Sequence, residues 1–524
     1  MNWIDHLPAL VLAVPLACAF LAPLASLGGR RVREALFVVG SLLTLALTVL
    51  VWTQVRAQGT LVYVMGADSW NLALPSGLAF PVRILLEIDA FSALLGVFGA
   101  VASFAGACFS LRFLDRFSGL DKYTSLFFLL TVGLLGMEYT GDLFNFFVFL
   151  EIASVASFGL VAFYRDRPEA IEAAFKYMLV STVGALFVLL AIGFLYGRYN
   201  LVSVAAVAQV LQLGVPEKIA LVFLVGTLAM KCGAVPMHCW VPDAYAEAPA
   251  AVTCLLVATS QASLYGLARV CFSLYGQLLC PTIIPWTVVI LGCLSMFVGV
   301  TMAVVQKDVF RLMAYHSVSQ VGYLLLGLGV GLLCLDDPEA MAEYGFGALQ
   351  GGVYHLLNYT IYKGLLFLTA GALAYSAGSR NLNELGGLAR NLPWTTGFFL
   401  VAAAAIAGLP PLNGFVSKLL IYESTFAVHP FLAVVAMVTS ILTLASFLKV
   451  FQTAFLGPAL ACFEKVREVP LSMRVGMGVL VLCVLGLSLF PSWTMDSLVG
   501  PASQALVERS SYIQSVLAAG GGQP

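Results

Sequence analysis

The feature that most constrains this chain is a succession of fourteen apolar runs, each long enough to cross a bilayer. A helix rises about 1.5 Å per residue and a hydrocarbon core is about 30 Å thick, so roughly 20 apolar residues span it. The runs lie near 7–27, 35–55, 84–110, 124–140, 142–164, 170–195, 217–241, 250–275, 282–304, 310–334, 347–375, 395–422, 430–456 and 471–490. Of the 524 residues 61% are hydrophobic and only 10% are charged, against roughly 25% charged in soluble domains. A water-soluble fold has no means of covering so much apolar surface. The expected fold class is all-α, a polytopic membrane protein of about fourteen transmembrane helices. A formal net charge of −1 excludes a general attraction to nucleic acid.

Sorting lysines and arginines by connection puts fifteen on one side of the membrane and five (Arg56, Arg83, Arg198, Lys218 and Arg509) on the other. Cytoplasmic connections are the basic ones, so both termini are expected to be non-cytoplasmic, in a cell (inner) membrane. The start, Met1-Asn2-Trp3-Ile4-Asp5-His6, lacks the basic region of a signal peptide. The run 7–27 is therefore expected to be a retained first helix, and 491–524 to be too short for a further domain.

Six basic residues fall inside the apolar runs: Lys176, Lys231, Arg269, Lys363, Lys418 and Lys449. A charge at mid-bilayer costs roughly 2.5–3.5 kcal/mol even on a lenient scale. Lys449 and Arg269 lie near run ends, where a long side chain is expected to reach the interface. The other four need a reason. Phe175-Lys176-Tyr177-Met178-Leu179, ending in Gly184-Ala185-Leu186, resembles Tyr362-Lys363-Gly364-Leu365-Leu366, ending in Gly371-Ala372-Leu373, 187 residues later. Lys231 and Lys418 are separated by the same 187 residues. Each pair lies five helices apart, an odd number, so the two copies are expected to run in opposite directions, as in transporters built from inverted repeats. The expected organisation is 1–123 (helices 1–3), 124–275 (first repeat, helices 4–8), 282–456 (inverted second repeat, helices 9–13) and 471–524 (last helix and tail). Pro236 and Pro242 beside Lys231, and Gly408-Leu409-Pro410-Pro411-Leu412-Asn413-Gly414 before Lys418, predict that helices 7 and 12 are broken. Broken backbone at membrane depth is tolerated where it is buried in protein or lines a wet cavity.

Glu151 lies nine residues beyond Asp142, roughly 13 Å into the fifth run. Burial favours the neutral form of a carboxyl and of an amine, whereas a close pair holds both charged. A glutamate–lysine pair that opens and closes therefore takes up and releases protons; a fixed structural ion pair is the alternative. His355, Tyr359 and Lys363 share a sector of roughly 80° on one helix face, suited to bridging water. His238 lies beside the break near Lys231, and His316, after a basic loop, is expected at the interface. The eleven cysteines include no CxxC, and the closest pair is Cys232 and Cys239. They read as small hydrophobes, so no iron–sulfur cluster, zinc, other cofactor or catalytic centre is expected.

Together, Thr140-Gly141-Asp142-Leu143-Phe144-Asn145 running into Glu151, Lys231-Cys232-Gly233-Ala234-Val235-Pro236-Met237-His238-Cys239-Trp240-Val241-Pro242-Asp243-Ala244, Ala248-Pro249, Leu312-Met313-Ala314-Tyr315-His316-Ser317, His355-Leu356-Leu357-Asn358 and the Gly408–Lys418 stretch resemble one family. It is the antiporter-like family of complex I proton-pumping subunits, Mrp sodium/proton antiporter D-type subunits and membrane-bound hydrogenase subunits. The resemblance covers roughly residues 85–455. It implies a proton-translocating, or sodium/proton antiporting, subunit of a multisubunit energy-converting complex, with other membrane subunits as partners and a non-conducting scaffold as the alternative. It implies proton transfer by Glu151, Lys231, His355, Lys363 and Lys418; from the reading of the residues themselves, Lys176, His238, Gln261 and Tyr359 are expected as accessories. Gln261 stands where the family commonly has a lysine, so the passage between the two halves is expected to run through water, a hydroxyl or another residue.

Overall fold

The computed structural model describes residues 3–65, 84–280 and 282–519. Met1, Asn2 and Arg83, used in the readings above, and the last five residues of the tail lie outside them. Among the described residues eleven helices are long and apolar enough to cross a membrane.

Helices α1 (Leu7–Leu27) and α2 (Arg30–Gln58) lead into a small hairpin, β1 (Leu61–Val64) with β2 (Leu85–Ile88), paired antiparallel with Leu61 opposite Ile88. The run expected as a helix from 84 thus opens as a strand. Helix α3 (Ala90–Phe113) begins only after Asp89, whose carboxylate accepts the Phe91 and Ser92 N–H groups at 3.0 Å each and so satisfies donors that have no partner within the helix. Helices α4 (Leu120–Tyr139) and α5 (Leu143–Val161) are joined by Thr140-Gly141-Asp142, and Asp142 caps α5 by accepting the Asn145 N–H at 2.7 Å. Then follow α6 (Pro168–Tyr199), α7 (Val204–Val210), α8 (Val215–Cys232), α9 (Trp240–Glu247) and α10 (Ala250–Ala268), which runs on as a wider helical turn, Arg269–Tyr275.

The second half comprises α11 (Ile284–Val305), α12 (Val309–Leu333), the single turn α13 (Pro338–Ala340), α14 (Phe346–Ala377), α15 (Pro393–Ala407), α16 (Asn413–Val428), α17 (Pro430–Val450) and α18 (Leu471–Leu489). The tail carries three short helices, α19 (Pro491–Thr494), α20 (Gly500–Val507) and α21 (Arg509–Ala519). Arg509 pins α21 down: Nε donates to the Ser273 carbonyl (2.9 Å) and Nη2 to those of Ala208 (2.6 Å) and Leu274 (3.0 Å). Helix α14 lies at the centre, packed by α10, α12, α15, α16 and α18.

In lipid, helices gain little from burying apolar surface against each other, so small residues that permit close backbone approach carry the packing. Helices α11 and α12 illustrate this: a Cβ on Gly322 would come within 2.5 Å of the Gly292 carbonyl oxygen and the Met296 nitrogen, and one on Gly299 within 2.5 Å of the Ser319 nitrogen.

Three local structures occur twice. Leu143 N–H donates to the Val202 carbonyl (2.9 Å) and Val204 N–H to that of Gly141 (2.8 Å); likewise Val309 N–H donates to Arg380 (3.0 Å) and Leu382 N–H to Lys307 (2.8 Å). Helices α6 and α14 both have 32 residues and both end on a left-handed residue, Asn200 (φ 54°) and Gly378 (φ 73°). Helices α8 and α15 end on left-handed Gly233 (φ 88°) and Gly408 (φ 78°). The next N–H in each donates back to a fifth-residue carbonyl, Ala234 to Ala229 (2.9 Å) and Leu409 to Ala404 (3.0 Å). These correspondences relate residues 166, 178 and 175 positions apart, not 187. In this register Lys363 matches Ala185, and Lys418 matches Asp243. The lysine pairing expected from the sequence is overturned: the local match around Lys176 and Lys363 is a chance of apolar sequence.

Candidate functional site

Helix α8 ends one residue after Lys231, and α9 resumes at Trp240. The groups released by this break are satisfied by side chains: Trp240 Nε1 donates to the Met230 carbonyl (3.1 Å), and Ser295 Oγ accepts the Val235 N–H (2.9 Å). Lys231 itself is buried, and its Nζ donates to Ser154 Oγ (2.6 Å) and to Ser181 Oγ. Glu151 sits three residues before Ser154, on the same face of α5. One of its carboxylate oxygens is buried without a hydrogen-bond partner. The expected Glu151–Lys231 pair is thus one of coupled neighbours, not of direct contact: the two charges interact, while serine hydroxyls hold the ammonium. Neither Ser154 nor Ser181 was identified from sequence. Their only signal is a hydroxyl at helical spacing, three residues beyond the glutamate in one case.

Beside Lys231 lies a small cavity whose wall includes Ser154, Tyr177, Thr259, Ser260 and Ser263. Gln261 is buried on α10, and neither its amide oxygen nor its nitrogen has a hydrogen-bond partner. Across from α10, the Tyr359 hydroxyl lies toward Ser260 and Ser317. Lys363 is fully buried, with its Nζ unpartnered and 5.5 Å from the centre of the Phe367 ring. Buried polar groups are nearly always hydrogen-bonded, so the unpaired Gln261 amide oxygen and nitrogen, Tyr359 hydroxyl and Lys363 Nζ, on the packed helices α10 and α14, make an environment suited to water.

The second break repeats the logic with different donors. Lys418, on α16, reaches back over the break: Nζ donates to the Ile406 carbonyl (2.8 Å) and to Ser440 Oγ (2.9 Å), and lies 4.8 Å above the Tyr323 ring. His355 Nδ1 faces Ser417 Oγ (3.1 Å), and its Nε2 faces Gln320 Oε1 (3.1 Å) and the Tyr362 hydroxyl (3.3 Å). Asn358 Nδ2 donates to Ser417 Oγ and to the Asn413 carbonyl, both at 3.1 Å, and Asn413 Nδ2 returns a bond to Asn358 Oδ1 at 2.7 Å. His355 and Lys418 are therefore linked through the first turns of α16.

Several residues stand elsewhere than expected. His316 is fully buried, with Nε2 2.9 Å from Ser446 Oγ and its ring stacked on Phe447; it senses the charges of Lys363 and Lys418, and so belongs to the buried line rather than the interface. Arg269 does not reach the interface; it is buried in an ion pair with Asp89. Lys176 is half-exposed near the start of α6, paired with Glu172 (2.7 Å) and Asp243 (3.0 Å), apart from the other lysines. His238 lies half-buried beside the break, its Nδ1 unpartnered. Lys449 donates to the Val304 (2.6 Å) and Gln306 (2.9 Å) carbonyls at the end of α11.

Broken helices bearing buried lysines, a mid-helix glutamate and a polar line between them make up the site. The family model described as NADH:quinone oxidoreductase/Mrp antiporter, TM matches residues 140–443. The chain belongs to this family. Among curated relatives of the NADH:quinone oxidoreductase/Mrp antiporter family, the N-type subunit of the NADH-quinone oxidoreductase of Desulforudis audaxviator is 34% identical, the match covering 93% of this chain and 96% of that one. The D-type subunit of the Na+/H+ antiporter of Alkalihalophilus pseudofirmus is 30% identical over 83% of this chain and 86% of its own. A chain of the Mrp complex from Dietzia sp. superposes with a TM-score of 0.87 at 26% identity, covering 99% of this chain and all of that one. As a member of the family the chain is a multi-pass, antiporter-like membrane protein.

Proposed function

We propose that this protein is a proton-translocating membrane subunit of a multisubunit energy-converting complex. The observation that carries the proposal is the buried polar line itself: Glu151, Lys231 with its serines, the hydroxyl-lined cavity, Tyr359 and Lys363, then His355 and Lys418, inside an otherwise apolar core. So many buried polar and charged groups burden a mere scaffold, whereas each is of use to a proton passed by way of water. The relatives' names, an NADH-quinone oxidoreductase subunit and a sodium/proton antiporter subunit, support a place beside other membrane subunits of such an assembly. Adding the pairs α8–α9 and α15–α16 and the buried α14 to the eleven apolar helices makes fourteen crossings. The three repeated local structures support two inverted five-helix units, near 124–275 and 282–456. The distribution of basic residues favours non-cytoplasmic termini in a cell membrane. In this reading Glu151, Lys231, Lys363, His355 and Lys418 transfer protons; Tyr359, His238 and His316 assist; and Lys176 organises the cytoplasmic end.

The test is Glu151→Gln in the assembled complex, in vesicles. Loss of the titratable group is expected to cut proton movement at least about tenfold while subunit composition on a native gel stays that of wild type. Unchanged proton movement would reject the transport role, and lost assembly with little else changed would favour the scaffold. A second outcome concerns Gln261. If protons pass by water held near its amide, Gln261→Leu removes two polar atoms from that environment and is expected to slow transport about tenfold. Gln261→Lys is expected to be tolerated. Wild-type transport in Gln261→Leu would place the path elsewhere.

A further inference from the structure

A second polar cavity lies outside the line described above. Glu87 of β2, Thr140 and Asp142 of the α4–α5 turn, Arg269 beyond α10 and Tyr512 of α21 form its polar end. Its apolar end reaches Leu228, one helical turn before Lys231. All five polar residues belong to connections or helix ends on the side poor in basic residues, the non-cytoplasmic face in the orientation proposed above.

The partners at the polar end are unevenly satisfied. Arg269 is taken by Asp89 in an ion pair. Asp142 is committed to the Asn145 N–H at the start of α5, where the helix dipole favours its charge. The Tyr512 hydroxyl donates to Glu87 Oε2. That leaves Glu87 Oε1 buried with no hydrogen-bond partner, in a residue only 3% exposed. The carboxyl is clamped in place from behind: a Cβ on Gly141 would overlap it, so the glycine of Thr140-Gly141-Asp142 makes room for Glu87. Two further carboxylates, Asp89 and Asp142, act on that of Glu87, and carboxylates crowded into one buried site do not all ionise together. Asp89 Oδ2 is also without a hydrogen-bond partner, but Asp89 is ion-paired with Arg269 and accepts two backbone N–H groups; Glu87 lines the cavity with only the Tyr512 hydroxyl as donor, and so it is the one left to carry the proton.

We propose that Glu87 is a proton-holding group at the non-cytoplasmic mouth of the first half, exchanging its proton between that face and the Lys231 region, with Tyr512 of the C-terminal helix as its lid. The inference rests on the transport reading above. Titration of the groups outside the spans agrees. Burial pushes Glu87 up to about 8, against the Tyr512 hydrogen bond and Arg269, which pull the other way, and the nearby Asp142 and Asp89 add to the rise. Burial lifts Asp142 only to about 6, as backbone N–H groups of Asn145 and Phe144 oppose it. Near neutral pH Glu87 therefore holds its proton while Asp142 is ionised, and Glu87 releases it as pH rises through about 8. Tyr265, facing Arg269 from α10 with Glu138 of α4 beyond it, completes the titratable groups around the site.

The experiment is an infrared pH-difference titration of the whole complex in proteoliposomes, read beside proton movement in the same vesicles. Wild type is expected to show a protonated-carboxyl band lost as pH rises through about 8. Glu87→Gln should lack the band and move protons at least about tenfold more slowly. Tyr512→Phe, which removes a donor that favours the charged form, should keep the band and shift its midpoint to higher pH. Sodium added at constant pH should leave the band in place. A band that survives in Glu87→Gln, an unshifted midpoint in Tyr512→Phe, or wild-type proton movement in Glu87→Gln overturns the proposal. Loss of the wild-type band on adding sodium would also overturn it, by showing that a metal cation takes the site. Glu151→Gln separates the two readings. Wild-type transport in that variant rejects transport through the chain altogether; wild-type transport in Glu87→Gln alone rejects only the role of Glu87.

Discussion

Lys231→Ala is expected to abolish proton movement, by about 100-fold or more, while leaving the protein as stable as wild type or more so. The first half follows from position. Lys231 is the only buried ammonium among the described residues that faces Ser154 and Ser181, and it couples electrostatically to Glu151. On the proposed transport reading alanine removes both a proton carrier and the charge that biases Glu151, and loss of a positioned acid–base group typically costs 10²–10⁴-fold. The second half follows from energetics. A buried ammonium held by two neutral hydroxyls is poorly compensated, so its removal relieves a desolvation cost that the hydrogen bonds only partly offset. Thermal unfolding in detergent, beside pH-dye uptake in vesicles, checks both. A protein that unfolds at markedly lower temperature, with transport scaling to the folded fraction, would assign Lys231 a structural role.

The largest effect on stability is expected from Gly322→Val. At this position the neighbouring helix presents backbone, the Gly292 carbonyl and the Met296 nitrogen, and neither can rotate away. A branched side chain forces α11 from α12, and loses the close contact along Gly299 and Ser319 as well. Overpacking a well-packed core costs typically 1–3 kcal/mol, and here a rigid backbone obstacle puts the cost at the top of that range or beyond, about 3–5 kcal/mol. Little monodisperse protein should survive size-exclusion chromatography. Gly478→Val is the control, since no atom lies within 4 Å of a Cβ there; near-wild-type yield is expected. Equal losses in both variants would show that valine, rather than the helix contact, is responsible.

Much of this architecture could be read in the sequence because bilayer length is a strong ruler. The run 7–27 coincides with α1, and most other boundaries fall within a few residues. The breaks were legible because Pro236 and Pro411 cannot continue a ladder of backbone bonds. The 187-residue spacing of the lysines is not the spacing of the local structures that occur twice. Intramembrane lysines draw the eye, yet the local structures that occur twice are backbone events, the left-handed Gly233 and Gly408 and the strand-like contacts of Asp142 and Asp308, whose offsets differ because the intervening connections differ in length. Arg269 and His316 are buried rather than interfacial for a related reason: distance along a helix from its end says nothing about which neighbours bury that end. Glu87 was passed over because it lies two residues before a helix cap in a strand that the apolar run concealed, and its partner Tyr512 lies 425 residues away.

The register of the two breaks has a consequence for the sense of flow. Lys231 is carried by the half-helix that precedes its break, Lys418 by the half-helix that follows. Units related by inversion with their lysines in matching places would look alike to a proton arriving from either face, and would supply no distinction between forward and reverse. Here the first lysine rests on two serine hydroxyls and the second on a freed carbonyl and a serine. In the proposed arrangement of two inverted units, both lysines fall on the same membrane side of their breaks. On the proposed reading the scaffold is close to symmetric but the charges it carries are not, and that mismatch would give the proposed path a polarity which a coupled partner could drive in one direction.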